Sequence, residues 1–516
     1  MVAIDRRFGT TNTFGTSNQF GASSFESYFA WGLEVDWDGD GLFDGSNQSR
    51  YLCGFRIERG RKTMLQSSGN GFEVIPIGRA TFTLHNVDGR FDGWNESSPL
   101  YPNVTFERDV RFRVRDMVGA GGVQPVFFGE ITDIVPTGYD TSDPKVNIEV
   151  SDAMGFLRSY SARVAMQENV ALDTAIGLVL DSVGFPSRWE RDLDVTADAI
   201  KYWWASGDRT AATELEDLAL AGFGQFFITA DGTARFITRT NVGASVADFS
   251  QNDIYKDIEN PQPWVNRRSI MRLKVHPKDT SGTALLYEYF GTAPQIGAGE
   301  TFVFFPNYTY NGVSVPALSV DSPAAGTDYQ LWTTPTEGSG TDKTSECDVS
   351  VTNFGSTALV RIVNNSAVTV YLTSFKLNGV VVYEKNAADL TYPSDPTTVT
   401  KPREFFIDLT WQQEANQAQD YVNIYGPFLD ALHPFPVIRV ENNFALQFGI
   451  DLFDVVTLKA DKLGINGVAF RVGGISHESL DDGCQRVLTT FYLEPYVASG
   501  NYGAFPLTWG ESTFGW

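Results

Sequence analysis

A run of alternating apolar and polar residues at positions 77–133 constrains the fold of this 516-residue chain more than any other feature. Its first strand places Ala80, Phe82 and Leu84 on one face and polar side chains on the other. That period of two is typical of a half-buried antiparallel strand. Alternation of this kind continues through residues 55–150 and predicts a β-domain of roughly six strands.

The turn that follows this first strand leads into a loop rich in aromatic residues. Gly89, in the sequence VDGR, can adopt the positive φ that a tight turn requires. Residues 91–102 then place Phe91, Trp94 and Tyr101 among turn-forming residues. We therefore predict a loop that is held against the core by three buried aromatic side chains.

The next strand alternates apolar residues with arginines. A phosphate-binding stripe and a salt-bridged face both fit this pattern, and acidic residues on the flanks favour the salt-bridged face. A further strand at residues 126–135 is interrupted by Gly129, which predicts a bulge or a barrel corner. The inward residues are Val110, Phe112 and Val114, the outward ones are Arg111, Arg113 and Arg115, and the flanking acids are Glu107, Asp109 and Asp116.

These segments resemble the first β-domain of the baseplate-hub and tail-tip proteins of tailed bacteriophages. The resemblance lies in the motifs N-x-D-G-R-F, S-P-L-Y, R-x-V-R and F-x-G-x-I-x-D-I, in that order. Two helices and a hairpin with the pattern F-x-x-x-x-D-G-x-x-x-F, further along the chain, resemble the same family. The resemblance covers residues 32–275 and 404–495. It concerns turns and strands, so it implies a fold and carries no chemistry.

Length and composition predict several packed domains. At 57.0 kDa the chain is too long for one core, and 42% hydrophobic with 13% aromatic residues is ample for packed cores. Abundant Gly, Thr, Val and Phe favour a mainly β protein with a few helices, comprising two tube-like β-barrel domains, a small α/β segment and an inserted β-sandwich. The predicted divisions are an N-terminal arm (1–28), a first β-barrel (29–160), a helical and hairpin domain (161–240), a second β-barrel (241–277 and 401–495), an inserted β-sandwich (278–400) and a C-terminal arm (496–516).

Local signals fix several elements inside these domains. Helices are predicted at residues 171–183, 210–221 and 412–424, with Thr210 as a helix cap, and a hairpin is predicted at residues 225–239. The composition of the insertion shifts to Ser, Thr, Gly and Asn, and its short, regularly spaced strands are typical of a sandwich. The last predicted strands there are residues 368–372 and 380–383, joined across Asn378-Gly379. The arms repeat Phe-Gly and aromatic-Gly pairs, which suits either disorder or straps to neighbouring subunits.

The sequence WGLEVDWDGDGLFDG contains the only candidate metal site that we identify. Asp36, Asp38 and Asp40, with Gly41 sixth, Asp44 ninth and the Leu42 carbonyl as a further donor, match most of a calcium loop. Position twelve is Asn47, where a bidentate Glu is typical, and no helix flanks the loop. A metal-free acidic turn fits as well, so calcium is the ion to test and no cofactor is required.

Charge and motifs argue against several function classes. A net charge of -24 disfavours gripping nucleic acid, although DNA could still slide through a channel with such a wall. Cys53, Cys347 and Cys484 fit no zinc spacing, and His477 near Cys484 lies in an acidic turn that needs no catalytic explanation. No catalytic motif, signal peptide or membrane span is identified, so we predict a protein that is not an enzyme.

The resemblance implies a homotrimeric hub in a virion tail, assembled in the host cytoplasm. Three chains with two β-barrels each would match the sixfold tail tube to a threefold tip, with a lumen for DNA and the tape-measure protein. Its expected partners are the tail-tube or distal-tail protein, the tape-measure protein, and tip or fibre proteins. The rival hypotheses are a hexameric distal-tail ring, an adhesin whose insertion binds host-surface glycan, and a secreted calcium-dependent carbohydrate-active enzyme.

Overall fold

The computed structural model describes residues 29–43, 47–65, 72, 75–117, 122–137, 143–241, 243–254, 258–259, 261, 266–289 and 291–495. Both predicted terminal arms and Asp44 of the acidic loop lie outside these residues. The fold class is confirmed, because the described chain is mainly β with a few helices and several sheets. No described helix is long and apolar enough to cross a membrane.

The first part of the chain forms six antiparallel strands in the order β1-β4-β5-β6-β3-β2. The predicted alternation is confirmed, since Ala80, Phe82 and Leu84 are at most 2% exposed. They pack with the other inward side chains of these strands into one core. The strands are β1 (Phe29–Val35), β2 (Leu52–Gly60), β3 (Arg79–His85), β4 (Asp109–Asp116), β5 (Val123–Thr137) and β6 (Lys145–Ser151).

Two predictions for this part are wrong in detail. Phe91 is fully buried, but Trp94 is 94% exposed and Tyr101 is 45% exposed. The loop is held by Phe91 and by its own turns, so the other two aromatics are free to face solvent. Gly129 pairs regularly with Val110, and the register shifts of β5 lie on either side of it, between Pro125 and Phe127 and between Ile131 and Asp133. Glycine is required there because a Cβ would lie 2.1 Å from the carbonyl oxygen of the neighbouring β6 strand.

The middle of the chain contains three helices around a second core. The two helices and the hairpin predicted here are confirmed within a few residues, and Thr210 accepts a hydrogen bond from Thr213 N as the helix cap. The long antiparallel pair β7–β9 was not predicted from the sequence. The elements are α1 (Ala153–Ser159), β7 (Ser161–Ala171), α2 (Leu172–Ser182), β8 (Arg191–Leu193), β9 (Ala199–Thr210), α3 (Ala211–Ala221), β10 (Gln225–Ile228) and β11 (Ala234–Ile237).

The region predicted as an insertion has a core of its own. Two strands, β12 (Ala247–Phe249) and β13 (Ile270–Val275), precede this region. They are followed by β14 (Lys278–Glu288), β15 (Gln295–Ile296), β16 (Thr301–Phe304), β17 (Thr309–Tyr310), β18 (Val313–Ser314), β19 (Ala317–Val320), β20 (Tyr329–Trp332), β21 (Cys347–Asn353), β22 (Ala358–Asn364), β23 (Val370–Glu384) and β24 (Ala388–Tyr392).

Strand β23 corrects the predicted turn at Asn378-Gly379, because both residues lie inside one continuous strand. Gly379 is needed for packing, since a Cβ there would lie 2.1 Å from the carbonyl oxygen of Ser319 on the paired strand β19. Strand β24 pairs with β13 and not with the insertion's own sheets. The structure therefore places residues 388–392 in the sheet that the insertion interrupts.

The last part of the chain adds strands to two sheets already described, the small sheet that contains β13 and the first sheet that contains β1–β6. Strand β25 pairs in parallel with β13, as expected if an insertion separates them, and α4 packs on this small sheet. The remaining strands instead join the first sheet, where β28 pairs with β2. The elements are β25 (Glu404–Leu409), α4 (Ala415–Asp430), β26 (Val437–Glu441), α5 (Phe444–Phe448), β27 (Val455–Ala460), β28 (Ile465–Ser479) and β29 (Val487–Glu494).

The β2–β28 pairing makes one sheet of eleven described strands from two distant parts of the chain. The strands of the predicted first and second barrels, here called the two β units, are thus hydrogen-bonded side by side. Each β unit has a core of its own. The outer strands are partly covered by the chain itself. Gln48 N donates to Leu33 O of β1, and Glu259 forms a bridge with Val437 of β26.

Candidate functional site

The acidic loop after β1 is a tight turn that is closed by its own backbone. Asp36 is 3% exposed, and its two carboxylate oxygens accept hydrogen bonds from Gly39 N at 2.9 Å and Gly41 N at 2.8 Å. Both glycines have positive φ, as the sequence predicts for Gly41. Leu42 N donates to Asp40 Oδ1 at 2.8 Å, so these three hydrogen bonds connect five residues of the turn.

The structure brings three of the predicted metal ligands together. Carboxylate oxygens of Asp36, Asp38 and Asp40 lie within 4.8 Å of one another. A hydrogen bond between the Asp38 and Asp36 carboxyl groups, with the charge of Asp40 nearby, raises the pKa of Asp38 above its usual value. This group could hold a hard cation such as calcium, which takes carboxylate and carbonyl oxygens.

Two neighbours of the loop favour the metal-free alternative. The guanidinium of Arg108 lies against Gly39, at the position that an added Cβ would occupy, so it brings a positive charge to this turn. Asn47, the residue at position twelve, uses its Oδ1 to accept a hydrogen bond from Ser49 N at 2.8 Å. Its side chain is therefore engaged in the following turn, and calcium binding remains a proposal to be tested.

The arginine stripe of β4 is a salt-bridged face, as predicted, but the acid comes from elsewhere. Glu34 of the paired strand β1 accepts from Arg111 Nε at 2.8 Å and from Arg113 Nη2 at 2.8 and 2.9 Å. Cross-strand register places Glu34 directly opposite Arg111. One buried carboxylate thus joins two of the three arginines, which disfavours the phosphate-binding interpretation.

His477, Cys53 and Cys347 are buried in the packed interior. Burial lowers the pKa of His477 to about 3, so the ring is neutral, and its Nδ1 is 2.9 Å from Thr489 Oγ1. Burial raises the pKa of Cys53 and of Cys347 to about 11, so these thiols are poor nucleophiles. Asp481 accepts backbone hydrogen bonds from the turn between β28 and β29, which confirms that this acidic cluster belongs to a turn.

Two ion pairs that sequence reasoning missed, each with a buried arginine, join the two β units. Arg59, at the end of β2, lies 2.6 Å from Asp451, and Arg61 contacts both oxygens of Glu494 at 2.9 Å. Arg59 also donates to the Ile228 carbonyl of the middle segment. These side chains lie at the β2–β28 junction, so they fix the first and last parts of the chain to each other.

Comparison with known proteins was made on this fold. No protein-family model matches the chain, and no curated protein matches it. Solved structures do match. The chain is similar to phage and prophage tail proteins.

Three of these structures illustrate the match. The 43 kDa tail protein of prophage MuSo2 from Shewanella oneidensis is 12% identical, with 90% of this chain and 98% of that chain covered and a TM-score of 0.48. A tail protein from Neisseria meningitidis MC58 is 11% identical, with coverage of 90% and 96% and a TM-score of 0.49. The prophage tail protein gp18 from Listeria monocytogenes EGD-e is 7% identical, with coverage of 92% and 95% and a TM-score of 0.41.

Proposed function

We propose that this chain is a structural, non-catalytic component of a phage-type tail, in which several copies form a baseplate hub or tail-tip ring. Three copies would place six β units around a lumen and so adapt a sixfold tube to a threefold tip. The ring's neighbours would be the tail-tube or distal-tail protein on one side and tip or fibre proteins on the other.

The observation that carries this proposal is the single sheet that runs through two β units of one chain. Pairing of β2 with β28 and the buried contacts of Arg59 and Arg61 fix the second unit beside the first. A symmetry adaptor needs this property, because each copy must supply two adjacent units in a constant relative orientation. A flexible linker between the units would not define a sixfold arrangement.

The charge of the chain suits a wall that DNA passes. A net charge of -24 repels phosphate, and two of the three arginines of β4, Arg111 and Arg113, are engaged by Glu34. DNA would therefore move through the lumen without being held, as would the end of a tape-measure protein.

Negative-stain imaging of the purified chain tests this proposal. We expect threefold particles with a central hole and a mass near three times 57.0 kDa. A sixfold ring of six copies would instead support a distal-tail ring. Chains that are monomeric in isolation and also single within assembled tails would contradict both ring functions.

A further inference from the structure

Arg268, two residues before β13, carries a buried positive charge that no acidic side chain in the described part of the chain pairs with. The residue is 6% exposed, and its Nη1 donates to the carbonyl oxygen of Arg267 at 3.3 Å. Its Nε is also buried and has no hydrogen-bond partner among the described residues. A guanidinium has five N–H donors, and burying its charge without a counter-charge is costly. Such a group normally faces an acid or a ligand.

The charged groups around Arg268 make its position less favourable still. Burial, together with the positive charge of Arg403, lowers the pKa of Arg268 below its usual value. Acids at this end of the small β13 sheet are already paired with other arginines, in the pairs Arg267–Asp430 and Arg272–Glu404, each at 3.1 Å. Positive charge is therefore concentrated at one point of a chain whose net charge is -24.

The backbone holds Arg268 and Arg403 at the same edge of this sheet. Strands β13 and β25 pair in parallel from their first residues, so the segments that precede them lie at the same edge. Ser269 ties the two segments together, because its hydroxyl donates to Lys401 O at 3.2 Å and accepts from Arg403 N at 3.0 Å. Lys401 is exposed and adds a third positive charge to these segments.

Guanidinium groups held in this way suit an oxyanion. Their N–H donors lie in a planar fork that matches the oxygen atoms of a phosphate group, and bonds to such an ion are charge-assisted. A long polyanion such as DNA would be repelled by the acidic chain as a whole. A small ion meets mainly the local positive charge, because salt screens charges more than about 8–10 Å away.

We propose that Arg268 and Arg403 form a binding site for a small oxyanion of the phosphate class. The ion accepts hydrogen bonds from Arg268 and offsets the repulsion between the two guanidinium groups. It thereby holds the start of β13 to the start of β25 and to α4, whose Leu429 carbonyl accepts from Arg268 N at 2.7 Å. This inference concerns a single copy of the chain, so it does not depend on the proposed ring.

Calorimetric titration of the intact chain with inorganic phosphate, and melting in phosphate or in chloride of the same ionic strength, test the site. We expect saturable binding of phosphate and a higher melting temperature in phosphate than in chloride. Arg268→Met removes the charge and keeps an unbranched apolar side chain, so it should raise the dissociation constant for phosphate at least about 10-fold. In chloride this variant should melt no lower than the wild type, because the unpaired buried charge is gone.

Arg439→Met is the matched control for the loss of one arginine. Arg439 pairs with Glu259 at 2.7 Å, away from the proposed site in the sequence, and its side chain is 30% exposed. This variant should bind phosphate as the wild type does. Arg403→Gln provides a second test of the site if Arg268→Met does not fold, and it should also weaken phosphate binding.

Phosphate also stabilises proteins by exclusion from their surface, an effect that needs no binding site. If phosphate raised the melting temperatures of the wild type and of all three variants equally, without saturable binding heat, the site would be overturned. It would also be overturned if Arg268→Met melted well below the wild type in chloride yet bound phosphate as tightly. The carbonyl groups at the end of α4 would then be sufficient partners for this guanidinium.

Discussion

Arg61 and Glu494 form a two-pronged ion pair in which both side chains are buried, although 433 residues separate them in the chain. The side chains are 5% and 3% exposed. Arg61 follows the last residue of β2, and Glu494 is the last residue of β29. This pair therefore joins the first β unit to the last.

Removing one partner of this pair should be costly. Glu494→Gln leaves a buried guanidinium without its carboxylate, and we expect it to lower the free energy of unfolding by about 3–5 kcal/mol. The double variant Arg61→Met/Glu494→Leu should lose clearly less unfolding free energy than the sum of the losses of the single variants Arg61→Met and Glu494→Leu. Urea unfolding followed by fluorescence and circular dichroism gives these values.

The matched control for this cycle is an exposed ion pair on β2, the strand that precedes Arg61. Arg56 and Glu58 pair at 2.7 Å, but their side chains are 60% and 43% exposed. Arg56→Ala should therefore cost less than about 1 kcal/mol. If Glu494→Gln cost no more than Arg56→Ala, the buried pair would not be what fixes the two units together.

Glu214 of α3 should make stability depend on pH. Burial is the main cause that raises its pKa to about 7, against the opposing effect of Arg209. The folded pKa is above the unfolded value of about 4.3, so its stabilising contribution is complete below about pH 4 and is lost as pH rises through 7.

The test compares Glu214→Gln with the wild type by calorimetry between pH 5 and pH 8. Relative to the variant, the wild type should lose about 2–3 kcal/mol of stability over this range. The exposed Glu190→Gln is the control, and its melting temperatures should run parallel to the wild type. If the melting temperatures of Glu214→Gln also ran parallel to those of the wild type, Glu214 would be ionised in the folded protein without a cost in stability.

The inserted unit should be removable if the cut follows the strand pairing. Thr280 of β14 lies opposite Val382 of β23, so replacing residues 281–381 with a two-residue turn closes a hairpin. We expect a folded, cooperative remainder in which Trp204, now packed against Gly355, becomes accessible to acrylamide quenching.

A second deletion provides the comparison. Replacing residues 282–398 with a Gly-Ser linker also removes β24, which pairs with β13. That variant should be less stable than the first because the β13 sheet loses an edge strand. If the first deletion variant were insoluble while the second was soluble, the division of domains would be wrong.

The acidic loop should be stabilised by calcium if it is a calcium loop. An ion that binds only the folded state adds about 2.7 kcal/mol at a hundredfold excess over its dissociation constant. Asp38→Asn and Asp40→Asn should remove this gain and leave the turn closed, because Asp36 makes the hydrogen bonds to Gly39 and Gly41. Thermal melting of the wild type in EDTA and in excess calcium measures this gain. Identical wild-type melting curves in the two buffers would mean that the loop is an acidic turn without metal.

What the sequence predicted well was local. The period of two around Phe82, the cap at Thr210 and the hairpin at Asp231-Gly232 each depend on neighbouring residues, and the structure shows all three. The three aspartates of the acidic loop also came together because they lie within five residues of one another.

What the sequence did not predict depends on distant residues. Glu34 engages Arg111 from another strand, and no spacing along the chain indicates that partner. Asn378-Gly379 has the composition of a turn, but a neighbouring strand keeps it extended. Trp94 looks like a core residue by type, yet it is 94% exposed, while Phe91, three residues earlier, is fully buried.

A cryo-electron microscopy reconstruction of the assembled protein, calculated without imposed symmetry, tests the central claim most directly. The account expects three copies around a central channel, with each copy supplying two adjacent β units joined by the β2–β28 pairing. Six copies that each supply one unit to the ring, or a particle without a channel, would contradict it.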